Sequence, residues 1–195
     1  MNVLVIYAHP NPASFNHAIL ETVVKTFQNR GHACTVRDLY GIRFDPILAP
    51  ADFDAIQKGS ARPDVADEQR FVQATDLLVF IHPIWWFSVP AILKGWIDRV
   101  FTYGFAYTMT DQGPAPLLRG KKAAIFNTTG GAEAAYEQGG FHTALKAVFE
   151  TGTLAFCGIE TIHHRFFHAV PYVTPDERTA MLLQAKQDAE RLAAS

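Results

Sequence analysis

The feature that most constrains this chain is the regular alternation of strand-like and helix-like segments along its length. Runs rich in apolar and β-branched residues, such as "NVLVIYAH" at 2–9, alternate with segments whose apolar residues recur every three or four positions. The pattern predicts strands at residues 2–9, 32–40, 76–81, 122–129 and 159–167, and helices at residues 14–31, 65–75, 90–101, 141–158 and 174–194. Residues 41–64 contain several prolines and are predicted to be mostly loop.

Alternation of this kind is typical of a parallel sheet covered by helices on both faces. The central runs are apolar almost throughout, as expected of strands that are buried on both sides. Five such strands predict an α/β fold, a three-layer αβα sandwich with the doubly wound strand order 2-1-3-4-5. The chain has 195 residues, which predicts a single domain spanning 1–195.

Composition excludes several kinds of partner. The net charge of −2 provides no basic surplus that would attract nucleic acid or an anionic membrane surface. No apolar run reaches the roughly 18 residues expected of a membrane span. Cys34 and Cys157 are far apart and form no CxxC pair, which indicates free thiols in a reducing, cytoplasmic setting.

The first loop at the carboxyl end of the predicted sheet, where ligands of such folds bind, is "AHPNPASFNHA" at 8–18. It has no glycine, so it is neither a dinucleotide-binding turn nor a P-loop. It leads into a helix whose first N–H groups attract an anion, and His9, Ser14 and Asn16 add polar groups. One interpretation is a phosphate site. The other is that Ser14 only caps the helix and Asn16 is a surface residue.

The second loop lies within "HPIWWFSVPAILKGWIDRV" at 82–100 and contains three successive aromatic residues, Trp85, Trp86 and Phe87. Consecutive side chains cannot all point the same way, so at least one ring is expected to face the cleft. Flat aromatic walls beside an anion-binding helix predict a flat phosphorylated ligand, a flavin or alternatively a nicotinamide nucleotide. The competing interpretation is a packed aromatic corner that neighbouring prolines stiffen.

The third loop is "NTTGGAEAAYEQGGFH" at 127–142. Its two glycine pairs allow the backbone to approach a planar ligand, and Thr128 and Thr129 offer hydroxyl groups. Tyr136 and His142 supply two proton-carrying groups. The alternative is a flexible surface loop with a packed tyrosine.

The segment "HHRFFH" raises the question of a metal site. His164 and His168 are four residues apart, which on a strand separates them by about 13 Å, and no third ligand has suitable spacing. No metal site is predicted, and these histidines are expected to be partly buried or to line the cleft.

Several segments together resemble the NAD(P)H:quinone oxidoreductases, the DT-diaphorase branch of the flavodoxin-like fold. They are "AHPNPASFN", "PIWWFSVPAILKGWIDRVFTYGFAY", "TTGG" with Tyr136 and His142 behind it, and "FCG" at 156–158. The resemblance covers nearly the whole chain. It implies a flavin-dependent enzyme that reduces quinones by two electrons, with NAD(P)H as hydride donor in a ping-pong cycle. It also implies FAD as cofactor, with FMN as the alternative, and a homodimer whose active sites lie at the subunit interface.

The resemblance further implies a role for residues in each loop. The flavin phosphates and ribityl chain are expected at His9, Ser14, Phe15, Asn16 and Ala18, the ring at Pro83, Ile84, Trp85, Trp86 and Phe87, and the pyrimidine edge at Thr128, Thr129, Gly130 and Gly131. Tyr136, which also contacts the flavin, and His142 are expected to be catalytic and to stabilise charge during hydride transfer. The substrate pocket is expected to comprise Trp86, Phe87, Tyr107, Met109, His142 and Phe156. Arg178 is expected near the adenine end of FAD.

The sequence also departs from the family pattern. Segment 51–64 is shorter than in the vertebrate members, the long C-terminal extension is absent, and Met109 stands where a second pocket tyrosine is often found. Shorter bacterial members carry FMN, and some are ancillary subunits of potassium-efflux systems. The alternatives are therefore a flavin-binding regulatory subunit of such a system, or an azoreductase or nitroreductase.

Overall fold

The computed structural model describes residues 1–194 and shows a five-stranded sheet in which all neighbouring strands are parallel. Its strands are β1 (Asn2–Tyr7), β2 (Ala33–Asp38), β3 (Leu77–Pro83), β6 (Lys122–Thr128) and β7 (Glu160–Phe167). The order is β2-β1-β3-β6-β7, which is 2-1-3-4-5 when only the strands of this sheet are counted. The predicted α/β flavodoxin-like topology is confirmed.

Helices cover both faces of the sheet, as the alternating pattern predicts. They are α1 (Phe15–Asn29), α2 (Pro50–Gln57), α3 (Pro63–Ala74), α4 (Ala91–Val100), α5 (Glu133–Gln138), α6 (Phe141–Lys146) and α7 (Pro175–Leu192). α1 and α7 pack on one face of the sheet through residues such as Val23, Phe27 and Ala189. α3 and α4 pack on the other face, where Leu93 and Trp96 are fully buried. None of the described helices is both long and apolar enough to cross a bilayer.

The start of α1 determines the shape of the first loop. Ser14 has an extended backbone and its hydroxyl accepts a hydrogen bond from the His17 N–H at 3.2 Å, so it is the N-cap. Ile19, Val23 and Phe27 recur at four-residue spacing on the buried face, which explains why this segment is helical and how it docks. The cap places the N-terminus of α1 at the carboxyl end of β1.

Segment 41–64 is loop over most of its length, as expected, but it also contains the helix α2, which was not predicted. Pro50 occupies the first turn of α2, where its missing N–H costs nothing, and the Asp52 carboxylate accepts the Ala49 N–H at 2.8 Å. Asp52 also accepts a hydrogen bond from the fully buried Arg99 of α4 at 2.9 Å. An interaction across the sequence therefore stabilises a helix that local propensity did not indicate.

Loop 41–49 passes directly over α4. A Cβ atom on Gly95 would lie 2.1 Å from the Pro46 carbonyl oxygen, so any larger residue would force the loop away from the helix. The glycine in "LKGW" is therefore explained by this close approach.

Two further elements differ from the predictions. The chain between α4 and β6 forms an antiparallel hairpin of β4 (Tyr107–Thr110) and β5 (Gly113–Pro116), which was not predicted. The single helix expected over 141–158 is instead α6, a π-helical segment at Ala147–Leu154 and a 3₁₀ turn at Ala155–Cys157. Phe149 and Leu154, five residues apart, are both buried, and this spacing fits the wider π turn.

Candidate active site

A cavity of about 570 Å³ opens between the loops that follow β1, β3 and β6. It has the size of a typical small-molecule site and lies at the carboxyl ends of the strands, where the fold places ligands. It is lined by these residues from the three predicted loops: His9, Ser14, Phe15, Asn16, Pro83, Ile84, Trp85, Trp86, Thr128, Thr129 and Gly130. The structure therefore brings together residues that are more than a hundred positions apart in the sequence.

The first loop is held by its own polar side chains. The Asn11 N–H donates to His9 Nδ1 at 3.0 Å, and the Ala13 N–H donates to Asn11 Oδ1 at 2.8 Å. Because His9 Nδ1 accepts this bond, the proton of the neutral ring is on Nε2, and burial lowers the pKa of His9. His9 is therefore a neutral donor at the rim of the cavity rather than a fixed cation.

Asn16 is buried and is not the surface residue that the alternative interpretation expected. Its side-chain amide donates to Thr128 Oγ1 at 2.8 Å, which ties α1 to the third loop. Its Oδ1 atom is buried without a hydrogen-bond partner among residues 1–194. A buried carbonyl oxygen without a donor is costly, so this atom fits a hydroxyl or N–H group of a ligand in the cavity.

The aromatic loop makes a tight turn with an unusual backbone. The Trp85 N–H donates to the Ser88 carbonyl at 3.1 Å, and the Ser88 N–H donates to the Trp85 carbonyl at 3.0 Å. Trp86 and Phe87 lie between these two residues and have φ angles of 50° and 53°. In two-residue hairpin turns, residues with such positive φ angles are usually Asn and Gly. Bulky residues in this region carry strain, which is typical of functional sites.

The three aromatic rings point in different directions, as expected for consecutive residues. Trp85 lines the cavity and its ring centroid lies 5.7 Å from that of His9. Trp86 also borders the cavity, and 96% of its surface is exposed. Phe87 stacks on Phe141 with centroids 4.0 Å apart and does not line the cavity. The interpretation of a wholly packed aromatic corner therefore fails for Trp86.

Tyr136 lies close to the third loop and is buried under it. Burial raises the pKa of its hydroxyl, and Thr129 partly opposes this shift through a hydrogen bond. The Tyr136 ring centroid is 5.6 Å from that of His142 and 5.2 Å from that of His168. The two proposed catalytic residues are thus neighbours, although neither forms the wall of the cavity itself.

The structure adds residues that the sequence reasoning did not assign to the site. His168, the first residue after β7, contacts both His142 and Thr129, and Val170 and Pro171 line the cavity. The signal was present in "HHRFFH", where a polar residue directly follows the last strand at the ligand end of the sheet. The sequence predicted that these histidines are partly buried or line the cleft, and both are partly buried, but it gave His168 no role in the site.

A second set of polar side chains lies buried beneath the cavity floor. Asn127 donates to His82 Nε2 at 3.1 Å and accepts from His164 Nε2 at 2.7 Å, and His164 Nδ1 lies 2.6 Å from Glu150 Oε1. Burial lowers the pKa of His82 to about 4 and that of His164 to about 3, so both rings are neutral near pH 7. Burial raises the pKa of Glu150.

The remaining predicted residues lie outside the cavity. Ala18 and Gly131 are near its lining residues in the chain but do not face it, and Arg178 is on α7 with a buried Nε atom that has no partner among residues 1–194. Tyr107 and Phe156 are in contact, with ring centroids 5.1 Å apart, and Met109 is exposed on the hairpin. No cluster of three His, Cys, Asp or Glu side chains in the described part of the chain could hold a metal ion.

Comparison with known proteins finds relatives that match nearly the whole chain. The sequence model of a family described by its flavodoxin-like fold matches residues 1–192. NAD(P)H dehydrogenase [quinone] 1 of Cavia porcellus is 38% identical, over 97% of this chain and 76% of that protein. The NAD(P)H:quinone oxidoreductase structure from Methanothermobacter marburgensis is 30% identical, with a TM-score of 0.90 and 98% of each chain covered.

A more distant structure, general stress protein 14 of Treponema denticola in complex with FMN, is 26% identical with a TM-score of 0.70, over 100% of this chain and 98% of that one. The family match, the relatives and the sheet topology agree. The chain belongs to the NAD(P)H:quinone oxidoreductase family of the flavodoxin-like fold.

Proposed function

We propose that this protein is a flavin-dependent NAD(P)H:quinone oxidoreductase. The observation that carries the proposal is a single cavity that joins a capped helix N-terminus, an exposed aromatic wall and the "TTGG" loop. The names of the relatives in Cavia porcellus and Methanothermobacter marburgensis support the same activity.

The cavity fits the parts of a flavin mononucleotide unit. The N-terminus of α1 supplies N–H groups and a favourable dipole for the phosphate. Asn16 Oδ1 is available to a ribityl hydroxyl group, and Trp85 and Trp86 form a wall for the flat ring system, with Thr128, Thr129 and Gly130 at its opposite edge. A flavin held by these residues would supply the redox chemistry, the two-electron transfer from NAD(P)H to a quinone in a ping-pong cycle.

The protein contributes binding, orientation and electrostatic stabilisation. Tyr136 and His142 are the residues that we propose to stabilise charge at the site during hydride transfer. Tyr136 acts as a hydrogen-bond donor, since a phenol is protonated near pH 7 and burial raises the pKa of Tyr136 further. A preorganised donor of this kind contributes roughly 3–4 kcal/mol in favourable sites.

We propose FAD as the cofactor, with FMN as the alternative. Arg178 supports FAD, because its Nε atom is buried and has no partner among the described residues, so it can accommodate the adenylate part. The FMN complex of the relative from Treponema denticola supports the alternative. Both share the mononucleotide portion that the cavity fits.

We propose a homodimer in which each pocket is completed by the partner subunit. Tyr107, Met109 and Phe156 do not line the cavity of their own chain, and Met109 and Phe156 are exposed. Apolar side chains grouped on the surface in this way are typical of interfaces. A cytoplasmic location is proposed from the two free cysteines, of which Cys157 is buried with its pKa raised to about 11.

The absorption spectrum and turnover of the purified protein test this proposal. We expect a yellow protein whose heat-released cofactor co-migrates with FAD, and fast oxidation of NADH or NADPH when a simple quinone is added. A colourless protein that cannot be reconstituted with either flavin would contradict the proposal. Bound flavin with slow turnover until a membrane partner is added would favour the regulatory subunit. A substrate panel that ranks azo or nitro compounds above quinones would favour the azoreductase or nitroreductase alternative.

A further inference from the structure

His168 joins two residues of the proposed site through both of its ring nitrogens. It directly follows β7, and the loop behind it is held by the Ala169 N–H, which donates to the Gly131 carbonyl at 2.9 Å. His168 Nδ1 lies 3.0 Å from Thr129 Oγ1, and His168 Nε2 lies 3.0 Å from His142 Nε2. Tyr136 also contacts Thr129 and His142, but within residues 1–194 His168 is the one side chain whose hydrogen bonds reach both of them.

The direction of each hydrogen bond follows from the number of protons available. Thr129 Oγ1 lies 2.8 Å from the Gly131 carbonyl oxygen, which can only accept, so the single hydroxyl proton goes there. Thr129 Oγ1 and the Gly131 carbonyl, with which His168 also forms a hydrogen bond, are thus both acceptors for His168 Nδ1–H. A neutral His168 with its proton on Nδ1 has a lone pair on Nε2, so His142 Nε2–H donates to it.

We propose that His168 is a positioning residue. It accepts a hydrogen bond from His142 Nε2–H, so that His142 Nδ1 is the atom that gives or takes a proton in the site. The inference rests on the proposed function, because the role of His142 in hydride transfer comes from it. Which ring nitrogen of a histidine carries the proton is commonly set by the bond that the other nitrogen makes.

The surroundings of His168 keep it neutral. The groups that face it are His142 from α6, Glu133, Tyr136 and Glu137 from α5, and the Thr129–Gly131 loop. Burial, followed by the neighbouring His142, lowers the pKa of His168, and Glu133, the hydrogen bond to the Gly131 carbonyl and Glu137 only partly oppose this shift. With His142 donating from Nε2, a protonated His168 would place one N–H against another, so this direction of the bond requires the neutral His168 ring.

Two substitutions separate positioning from packing. His168→Gln retains an amide donor and an acceptor oxygen, so it can accept from His142 and donate to Thr129. His168→Phe retains a ring against Tyr136 and Phe166 but has no polar atom. Packing alone would make the phenylalanine variant the better substitute, whereas positioning makes the glutamine variant the better one.

The first measurement is the tautomer of His142 by ¹⁵N–¹H correlation NMR on the full-length protein as purified. We expect the Nε2–H form of His142 in the wild type and in His168→Gln, and a mixture of tautomers in His168→Phe. An Nδ1–H tautomer in the wild type, or the same tautomer in all three proteins, would overturn the inference. The wild-type result decides the matter even if a variant fails to fold.

The second measurement is the rate of flavin reduction by NAD(P)H in stopped-flow, with bound flavin measured in each variant. Acid–base groups contribute roughly 10²–10⁴-fold, so we expect His168→Phe to be at least about tenfold slower and His168→Gln within about twofold of wild type. His142→Ala combined with His168→Phe should be no slower than His142→Ala alone, since His168 acts through His142. A further loss in the double variant would overturn the inference. A protein that binds no flavin would contradict the proposed function while leaving the NMR result standing.

Discussion

At the scale of single residues, Trp86 combines a strained backbone with an almost fully exposed ring. Its φ angle is 50° and its exposed fraction is 96%, so packing does not explain why this conformation is adopted by such a large side chain. The two hydrogen bonds between Trp85 and Ser88 hold the turn in place. The strain is consistent with a ring that is presented to a ligand or a partner rather than to the core.

This strain predicts an unusual order of stability for two truncations. A left-handed backbone costs a non-glycine residue about 1–2 kcal/mol, which the greater entropy of glycine in the unfolded chain offsets by roughly 0.5–1 kcal/mol. Trp86→Gly should therefore have a free energy of unfolding about 0.5–1 kcal/mol higher than Trp86→Ala, as measured by urea denaturation of the flavin-free protein. Equal stability of the two variants would show that the turn is not strained.

Arg178 allows the two candidate cofactors to be distinguished. If its guanidinium meets the adenylate part of FAD, Arg178→Ala should weaken FAD about tenfold or more and leave FMN affinity unchanged, because charged hydrogen bonds contribute roughly 1.5–3 kcal/mol. Lys186→Ala, an exposed position on the same helix, is the matched control. Equal losses for FAD and FMN, measured by fluorescence titration, would place Arg178 outside the adenylate site.

At the scale of elements, Arg99 connects α4 to α2 and α3. It is fully buried, and it contacts Asp52 at 2.9 Å, Asp64 at 2.7 Å and the Asp45 carbonyl at 2.8 Å. These contacts account for an ordered segment where the sequence alone indicated a loop. They also hold loop 41–49, which can lie close to α4 because Gly95 has no side chain.

Removing this cation should be costly because it leaves Asp52 buried without its main partner. Arg99→Met is expected to lower the free energy of unfolding by about 3–5 kcal/mol. Lys94→Met is the control on the same helix, since its ion pair with Asp98 is exposed and should contribute less than about 1 kcal/mol. Urea denaturation of both variants provides the measurement, and losses of similar size would show that burial of Arg99 has no special role.

At the scale of the whole molecule, the buried histidines beneath the cavity couple stability to pH. His82 has a folded pKa of about 4, below its ordinary value of 6.5, so the unfolded chain binds more protons between these pH values. The contribution of neutral His82 to the free energy of unfolding is therefore fully present above pH 6.5 and is lost as the pH falls towards 4. Burial opposes ionisation of Asp52 and Asp188, but neighbouring arginines outweigh it and lower their pKa values, so these carboxylates add a loss of stability at still lower pH.

We therefore expect the free energy of unfolding to fall steadily as the pH is lowered from 7 to about 4. His82→Gln keeps a polar side chain that does not titrate, so its stability should depend less on pH in this range than that of the wild type. Urea denaturation at several pH values checks both slopes. Parallel slopes for wild type and variant would show that His82 is not the source of the effect.

The proposed dimer predicts a change in assembly from a single surface substitution. Phe156→Asp places a charge in the exposed apolar group beside Tyr107, and should shift the protein to a monomer in light scattering. Flavin should remain bound, because Phe156 does not line the cavity, whereas quinone turnover should fall sharply. Leu183→Glu, at another exposed apolar residue on α7, is the control and should remain a dimer. A dimeric, fully active Phe156→Asp would exclude this surface as the interface.

The sequence predicted the sheet well because its signal is local. Apolar runs such as that of β3, and the four-residue spacing along α1, encode each element within a few neighbours, and alternation then determines the class of fold. The three loops of the cavity could be named in advance because parallel strands all end at the same edge of the sheet. The cap at Ser14 and the divergence of Trp85 to Phe87 follow from equally local rules.

Tertiary structure alone decided what depends on contacts between distant residues. The helix α2 needs Arg99, the Asn16 amide becomes part of the site only through Thr128, and His168 gains its role only when β7 brings it beside His142. Periodicity cannot reveal such pairs, because it reports which face of an element is buried and not which side chain lies opposite. The sequence by itself therefore determined the architecture and the location of the site, whereas the packing of separate loops decided which polar atoms are paired there and which remain available to a ligand.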